Sequence, residues 1–162
     1  SKDSGVGHNQ EKFYLLPAVN NVVALFNSMA RDKKIIIHNF IKEDHAVLAD
    51  QNMINLVFRN LISNALKFTQ QGGEVSVHSE RADKAIRISV RDTGVGIVAA
   101  KIEQLFNADQ SKMTTRGTSN EKGSGIGILL CKDFVEKHKS TISVTSTPGK
   151  GSEFSFYLPS VN

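Results

Sequence analysis

Asn60, Asn64 and Lys67 lie in one short stretch of the chain, spaced by four and three residues. On an α-helix that spacing lines them along one narrow arc. Asparagine is a poor mid-helix residue because its amide competes with the backbone. Two carboxamides one turn apart, aligned with a lysine, suggest a ligand, although a plain solvated ridge can carry the same letters. Mg²⁺ takes oxygen ligands and keeps several waters while bridging phosphates. An asparagine carbonyl can supply one such ligand, and Lys67 can neutralise phosphate charge. Further on, Asp92 closes a strand-like run and is followed by Gly94 and Gly96. The glycines admit positive φ and close approach of a ligand. A carboxylate facing such a turn can accept from an exocyclic amino group, which adenine carries. Asp and Gly are also ordinary strand-ending turn residues, so this stretch alone is weak. Finally, Gly123, Ser124, Gly125, Ile126 and Gly127 run straight into a helical pattern. Free amides at a helix N-terminus bind phosphate, and a merely flexible helix entry is the plainer reading. The carboxamide helix precedes both glycine turns, an order that excludes Rossmann and Walker arrangements.

These residues need elements to hold them. Asp50 is a favoured N-cap, and the pattern after it predicts a long helix to about residue 68, ended by Gln70, Gln71, Gly72 and Gly73. Ile54, Val57, Phe58, Leu61, Ile62, Ala65 and Phe68 fall on its broad apolar arc, which should face a sheet. Residues 74–81 and 85–91 alternate apolar and polar and read as an antiparallel pair. Helices are also expected over 17–31, 98–106 and 125–137, and strands over 34–41, 141–146 and 153–158. The polar stretch 107–122 is long for a loop in a compact domain and reads as a lid over the glycine turns. Helices lying between strands that pair late and antiparallel predict an α+β two-layer sandwich, with a mixed, mostly antiparallel sheet and helices on one face.

The chain has 162 residues, 40% of them hydrophobic and 22% charged, which suits one compact domain with a real core. No apolar run approaches the roughly 18–20 residues of a membrane helix. The net charge of +4 is scattered among acidic residues, without a basic run. With 7% aromatics and no Trp, nothing marks a nucleic-acid partner. Cys131 is the only cysteine; it reads as a small buried helix residue, and a reducing compartment fits. Residues 1–12 read as a linker and 13–162 as the domain. The five histidines, His8, His38, His45, His78 and His138, read as ordinary surface or half-buried residues.

Taken together, the motifs resemble the ATP-binding catalytic domain of two-component sensor histidine kinases. That superfamily also contains gyrase B, MutL repair proteins and heat-shock chaperone ATPases, and it shares a Bergerat-type fold. Residues 60–69 (NLISNALKFT) match its N box, 92–97 (DTGVGI) the G1 box, Leu105 and Phe106 a short F box, and 123–130 (GSGIGILL) the G2 box. Residues 148–159 (PGKGSEFSFYLP) match the closing glycine motif and last strand. The resemblance implies Asn64 as the Mg²⁺ ligand, Asn60 beside the triphosphate, Lys67 on phosphate and Asp92 on the adenine amino group. It further implies Ser152 near adenine, with Gly94, Gly96, Ile97, Phe106, Gly123, Ser124, Gly125, Ile126, Gly127 and Leu129 shaping or lining the pocket. Arg116 or Lys122 could approach the γ-phosphate. Phe68 stands where many relatives carry Tyr. Hydrolysing members carry Glu at the position of Asn60, and an amide is no general base. The implied reaction is therefore transfer from Mg-ATP to a protein histidine, with Asn60 and Lys67 as the catalytic pair. The implied partners are a phosphoacceptor dimerisation hairpin and, indirectly, a bacterial response regulator. None of the five histidines has the acceptor's context, which implies a fragment of a larger kinase, cytoplasmic as a domain and without membrane contact of its own. A Ser/Thr kinase of the anti-sigma-factor type, or a non-catalytic ATP-binding module, are the alternatives.

Overall fold

In the computed structural model, residues 9–96, 115–116, 122–123 and 126–161 are described. The expected helix over 98–106, most of the expected lid, and Ile97, Leu105, Phe106, Ser124 and Gly125 lie outside them. So do the side chains of Arg116, Lys122 and Ile126.

The chain enters through β1 (Gln10–Tyr14), α1 (Leu15–Ala24), α2 (Asn27–Asp32), β2 (Ile36–Phe40) and β3 (Ala46–Asp50). The long α3 (Gln51–Phe68) leads to the hairpin β4 (Glu74–Ala82) and β5 (Ala85–Asp92). Two short strands, β6 (Thr115–Arg116) and β7 (Lys122–Gly123), pair antiparallel before α4 (Ile126–Lys137). The chain closes with β8 (Ser143–Thr147) and β9 (Gly151–Pro159). The main sheet has the order β2-β4-β5-β9-β8, parallel only between β2 and β4. This is the expected mixed, mostly antiparallel sheet, with helices on one face.

Alternation decides which face is which. Val75 and Val77, Ile86, Ile88 and Val90, and Phe154, Phe156 and Leu158 are all buried. They meet the apolar arc of α3, where Ile54, Val57, Phe58, Leu61, Ile62 and Ala65 are also buried. Phe58 meets Phe156 with ring centres 6.1 Å apart. Cys131 is fully buried as expected, and burial pushes its thiol up to about 12.

Three expectations change. Phe68 leaves the apolar arc; it is half-buried, with the Lys67 ammonium 4.8 Å from its ring centre. The first helix is two: the amides of Leu25 and Phe26 donate to Val22 and Val23, three residues back, which tightens the turn and ends α1 without Pro or Gly. The chain is also paired before residue 13, because β1 runs antiparallel to β3 from Gln10↔Asp50 to Tyr14↔Ala46. Only Phe13 of β1 is buried, so its sequence reads as polar coil.

Candidate functional site

Both ends of α3 are held by specific groups. At the N-terminus, Asp50 Oδ1 accepts from the Met53 amide at 3.1 Å, as the N-cap pattern predicts. At the C-terminus, four carbonyls lack partners within the helix. Ala65 O accepts from Thr69 Oγ1 at 2.6 Å, and buried Lys33 donates to Leu66 O at 2.9 Å and Lys67 O at 3.0 Å. Phe68 O accepts from the Val95 amide at 3.1 Å. Lys33 also places a cation on the negative end of the helix dipole. Sequence reasoning missed it, because a lysine after a helix ordinarily reads as surface.

The Val95 bond has a functional consequence. It ties the turn after β5 to the end of the helix that carries Asn60, Asn64 and Lys67. Gly94 packs so close to Phe68 O that a Cβ would collide with it. Gly96, at φ +76°, leaves no room for a Cβ against Thr147 O. The Gly149 amide donates to Val95 O at 2.6 Å, which fastens the same turn to the β8–β9 connection. One five-residue turn is therefore fixed to α3 on one side and to the sheet end on the other.

Asp92 sits at the root of that turn, opposite Val75 on one side and Ser152 on the other. Its Oδ1 accepts from the Gly94 amide at 2.9 Å and the Ser152 amide at 3.3 Å. Oδ2 has no hydrogen-bond partner among the described residues. Burial lifts the Asp92 pKa to about 6, against the pull of the two amides. The group is thus ionised at neutral pH, with one acceptor oxygen still available. Ser152 is buried beside it, its hydroxyl 2.7 Å from that of Ser146, which donates to Gly151 O at 3.1 Å.

Asn60 donates from Nδ2 to Leu56 O at 2.8 Å, which orients its Oδ1 away from its own helix. A Cβ on Gly127 would lie 2.6 Å from that oxygen, so the first turn of α4 packs directly on Asn60. Asn64 is half-buried, and its amide has no hydrogen-bond partner among the described residues. Lys67 follows one turn on, and Leu129 is half-buried on α4. Of the expected residues, the structure brings together Asn60 and Gly127, and separately Asp92, Gly94, Gly96 and Ser152. Asn64 and Lys67 lie on the helix that joins the two groups. Gly123 falls in β7.

The donor set suits a hard divalent cation that relies on phosphate. Asn64 offers a neutral carboxamide oxygen, and no cluster of His, Cys, Asp or Glu among the described residues could hold a metal alone.

His8 lies outside the described residues; of the other four histidines, two meet the expectation and two depart from it. His38 and His78 are half-buried on strands, His38 paired with Glu74 at 3.1 Å. His45 and His138 are buried. Burial lowers the His45 pKa, and its Nδ1 lies 2.8 Å from Ser79 Oγ. Their short-range sequence context gives no sign of this.

A helix edged with carboxamides, a strand-end carboxylate and a glycine turn anchored to both define a two-layer nucleotide-binding ATPase domain. The chain belongs to the histidine kinase-, DNA gyrase B- and HSP90-like ATPase family, whose model matches residues 49–162. It is 32% identical over 153 residues to the adaptive-response sensory kinase SasA of Microcystis aeruginosa, covering 93% of this chain and 39% of SasA. The chain therefore spans about two fifths of that relative. Among solved structures, the nucleotide-free catalytic domain of histidine kinase ThkA is similar at TM-score 0.80 and 28% identity, covering 93% of this chain and 95% of that one. Histidine kinase ThkA in complex with response regulator protein TrrA is similar at TM-score 0.76 and 26% identity, covering 95% of this chain and 42% of that one. No helix among the described residues is long and apolar enough to cross a membrane.

Proposed function

We propose that this chain binds Mg-ATP and transfers the γ-phosphoryl group to a histidine on a separate dimerisation hairpin of a larger kinase. The observation that carries this reading is the bond from the Val95 amide to Phe68 O, which sets Asp92 at a fixed position relative to Asn64 and Lys67. Asp92 Oδ2 accepts from the adenine amino group, with Ser152 beside it. Asn64 supplies a metal ligand, and the metal, when bound, neutralises charge on the phosphates. Asn60 and Lys67 orient the phosphates, and the first turn of α4 at Gly127 offers backbone amides to them. Gly94 and Gly96 shape the adenine side, and Leu129 borders the pocket. Asn60 cannot take a proton from water, so transfer is favoured over hydrolysis, and positioning with charge neutralisation supplies the catalysis. A response regulator receives the phosphoryl group in turn, as the pairing of ThkA with TrrA suggests for a related kinase.

The test mixes the chain, Mg-ATP and a separately produced dimerisation hairpin. Acid-labile phosphate on the hairpin histidine is expected. Acid-stable phosphate on Ser or Thr would point to the anti-sigma-factor type, and binding without transfer to a regulatory module. Asn64→Ala should abolish the Mg²⁺ dependence of binding; an unchanged dependence would remove the metal assignment.

A further inference from the structure

α3 and α4 run antiparallel with a constant register. His138 lies against Asp50, Cys131 against Val57 and Gly127 against Asn60. The first of these contacts is a buried side-chain bond. His138 Nε2 accepts from the Asp50 backbone amide at 3.0 Å, and its Nδ1 donates to Phe134 O at 2.8 Å. The ring must therefore be neutral and protonated on Nδ1. It caps α4 on one side and receives the residue that starts α3 on the other. That residue is itself pinned, because Asp50 Oδ2 accepts from the Asn9 amide at 2.7 Å. In the middle of the register, Cys131 Sγ approaches Val57 O at 3.6 Å. At the far end Gly127 packs closely on Asn60. That end is the proposed phosphate site, and it has no bond of its own between the helices among the described residues.

We propose that His138 is a positioning residue for nucleotide binding. It latches the C-terminal end of α4 to the N-terminal end of α3. The latch fixes the sliding register of the two helices, and so the placement of Gly127 over Asn60. Without it, α4 can slip along α3 and the two halves of the phosphate site separate. This rests on the nucleotide reading of Asn60 and Gly127.

The test uses the whole chain and a non-hydrolysable ATP analogue with Mg²⁺. Long-range ¹H–¹⁵N spectra of the unmodified chain should show the His138 ring neutral with the proton on Nδ1. An Nε2-protonated or charged ring at neutral pH would overturn the latch before any variant is made. His138→Phe fills the site but cannot accept. It should raise the Kd of the folded chain by about tenfold and strip exchange protection from the Asp50 amide. His138→Gln keeps an acceptor at the reach of Nε2 and should restore both to within about threefold. A purely structural histidine would lower the melting temperature in His138→Phe and leave the affinity of the folded fraction unchanged; that result contradicts the proposal. If His138→Phe does not fold, the ring tautomer and His138→Gln decide: a folded Gln variant whose Kd rises by about tenfold or more over the unmodified chain overturns it. If the unmodified chain binds no nucleotide, the reading of the site has failed and the latch falls with it, recognisable because no variant is then needed.

Discussion

Asp50 and Asp92 each end a strand and each lie largely out of solvent, yet they spend their oxygens in opposite ways. Asp50 gives Oδ1 to the Met53 amide and Oδ2 to the Asn9 amide. Both of its bonds serve the fold. Asp92 gives Oδ1 to two amides and keeps Oδ2 without a partner among the described residues. A half-buried carboxylate that retains an unused acceptor costs stability, and the raised pKa of about 6 is the mark of that cost. The contrast separates a carboxylate that builds the site from one that is kept ready for a ligand. Sequence position alone does not separate them.

The largest effect that can break this contrast is on binding. Asp92→Asn keeps the shape and the acceptor for Gly94 and Ser152, yet loses the charge that the adenine amino group meets. Affinity for an ATP analogue should fall by about 30- to 150-fold, from losing a charge-assisted bond of about 2–3 kcal/mol, measured by calorimetry. An unchanged Kd would place adenine elsewhere. Asp50→Ala should act on stability instead, removing a helix cap and a second buried bond. A loss of about 2–3 kcal/mol in denaturant unfolding is expected. A loss near zero would show that α3 does not depend on its cap.

Acid sharpens the contrast further. Burial lifts the Asp92 pKa from 3.8 to about 6, so between those values the folded chain holds a proton that the unfolded chain has released. The Asp92 contribution to stability therefore falls as pH rises through that interval. Its size should be about 1–2 kcal/mol after allowance for partial solvent contact. Nucleotide affinity should run the other way and rise over the same interval, because adenine needs the ionised form. In Asp92→Asn the stability slope should flatten; an identical slope in both chains would assign it to other groups. The smallest effect is at Ser152→Ala, where the hydroxyl pair with Ser146 is lost. Roughly 0.5–1 kcal/mol of stability should go in denaturant unfolding; no loss would show that the hydroxyl pair does not hold the sheet end.

Much of this layout is legible in the amino-acid sequence. Asp50 as a cap, the apolar arc of α3 and the β4–β5 hairpin follow from local periodicity and turn chemistry, which a short window of sequence carries in full. The α+β sandwich with a mixed sheet followed from the order of those elements. What escaped was set by distant partners. β1 buries only Phe13 and begins with three polar residues, and it is a strand because β3 lies beside it. Lys33 is buried because the end of α3 arrives above it, and His138 because α4 ends against Asp50. The split between α1 and α2 uses no Pro or Gly, so no breaker announced it. In the site, the residue types were readable but not the splice from Phe68 O through Val95 to Gly149, which consists entirely of backbone groups.

The most direct measurement titrates the unmodified chain, with Mg²⁺ present, against matched non-hydrolysable analogues of ATP and GTP in a calorimeter at pH 7.5. Saturable heat with the adenine nucleotide, and affinity at least about tenfold weaker for the guanine one, is the expected result. Equal affinity for the two, or no heat with either, would contradict the account.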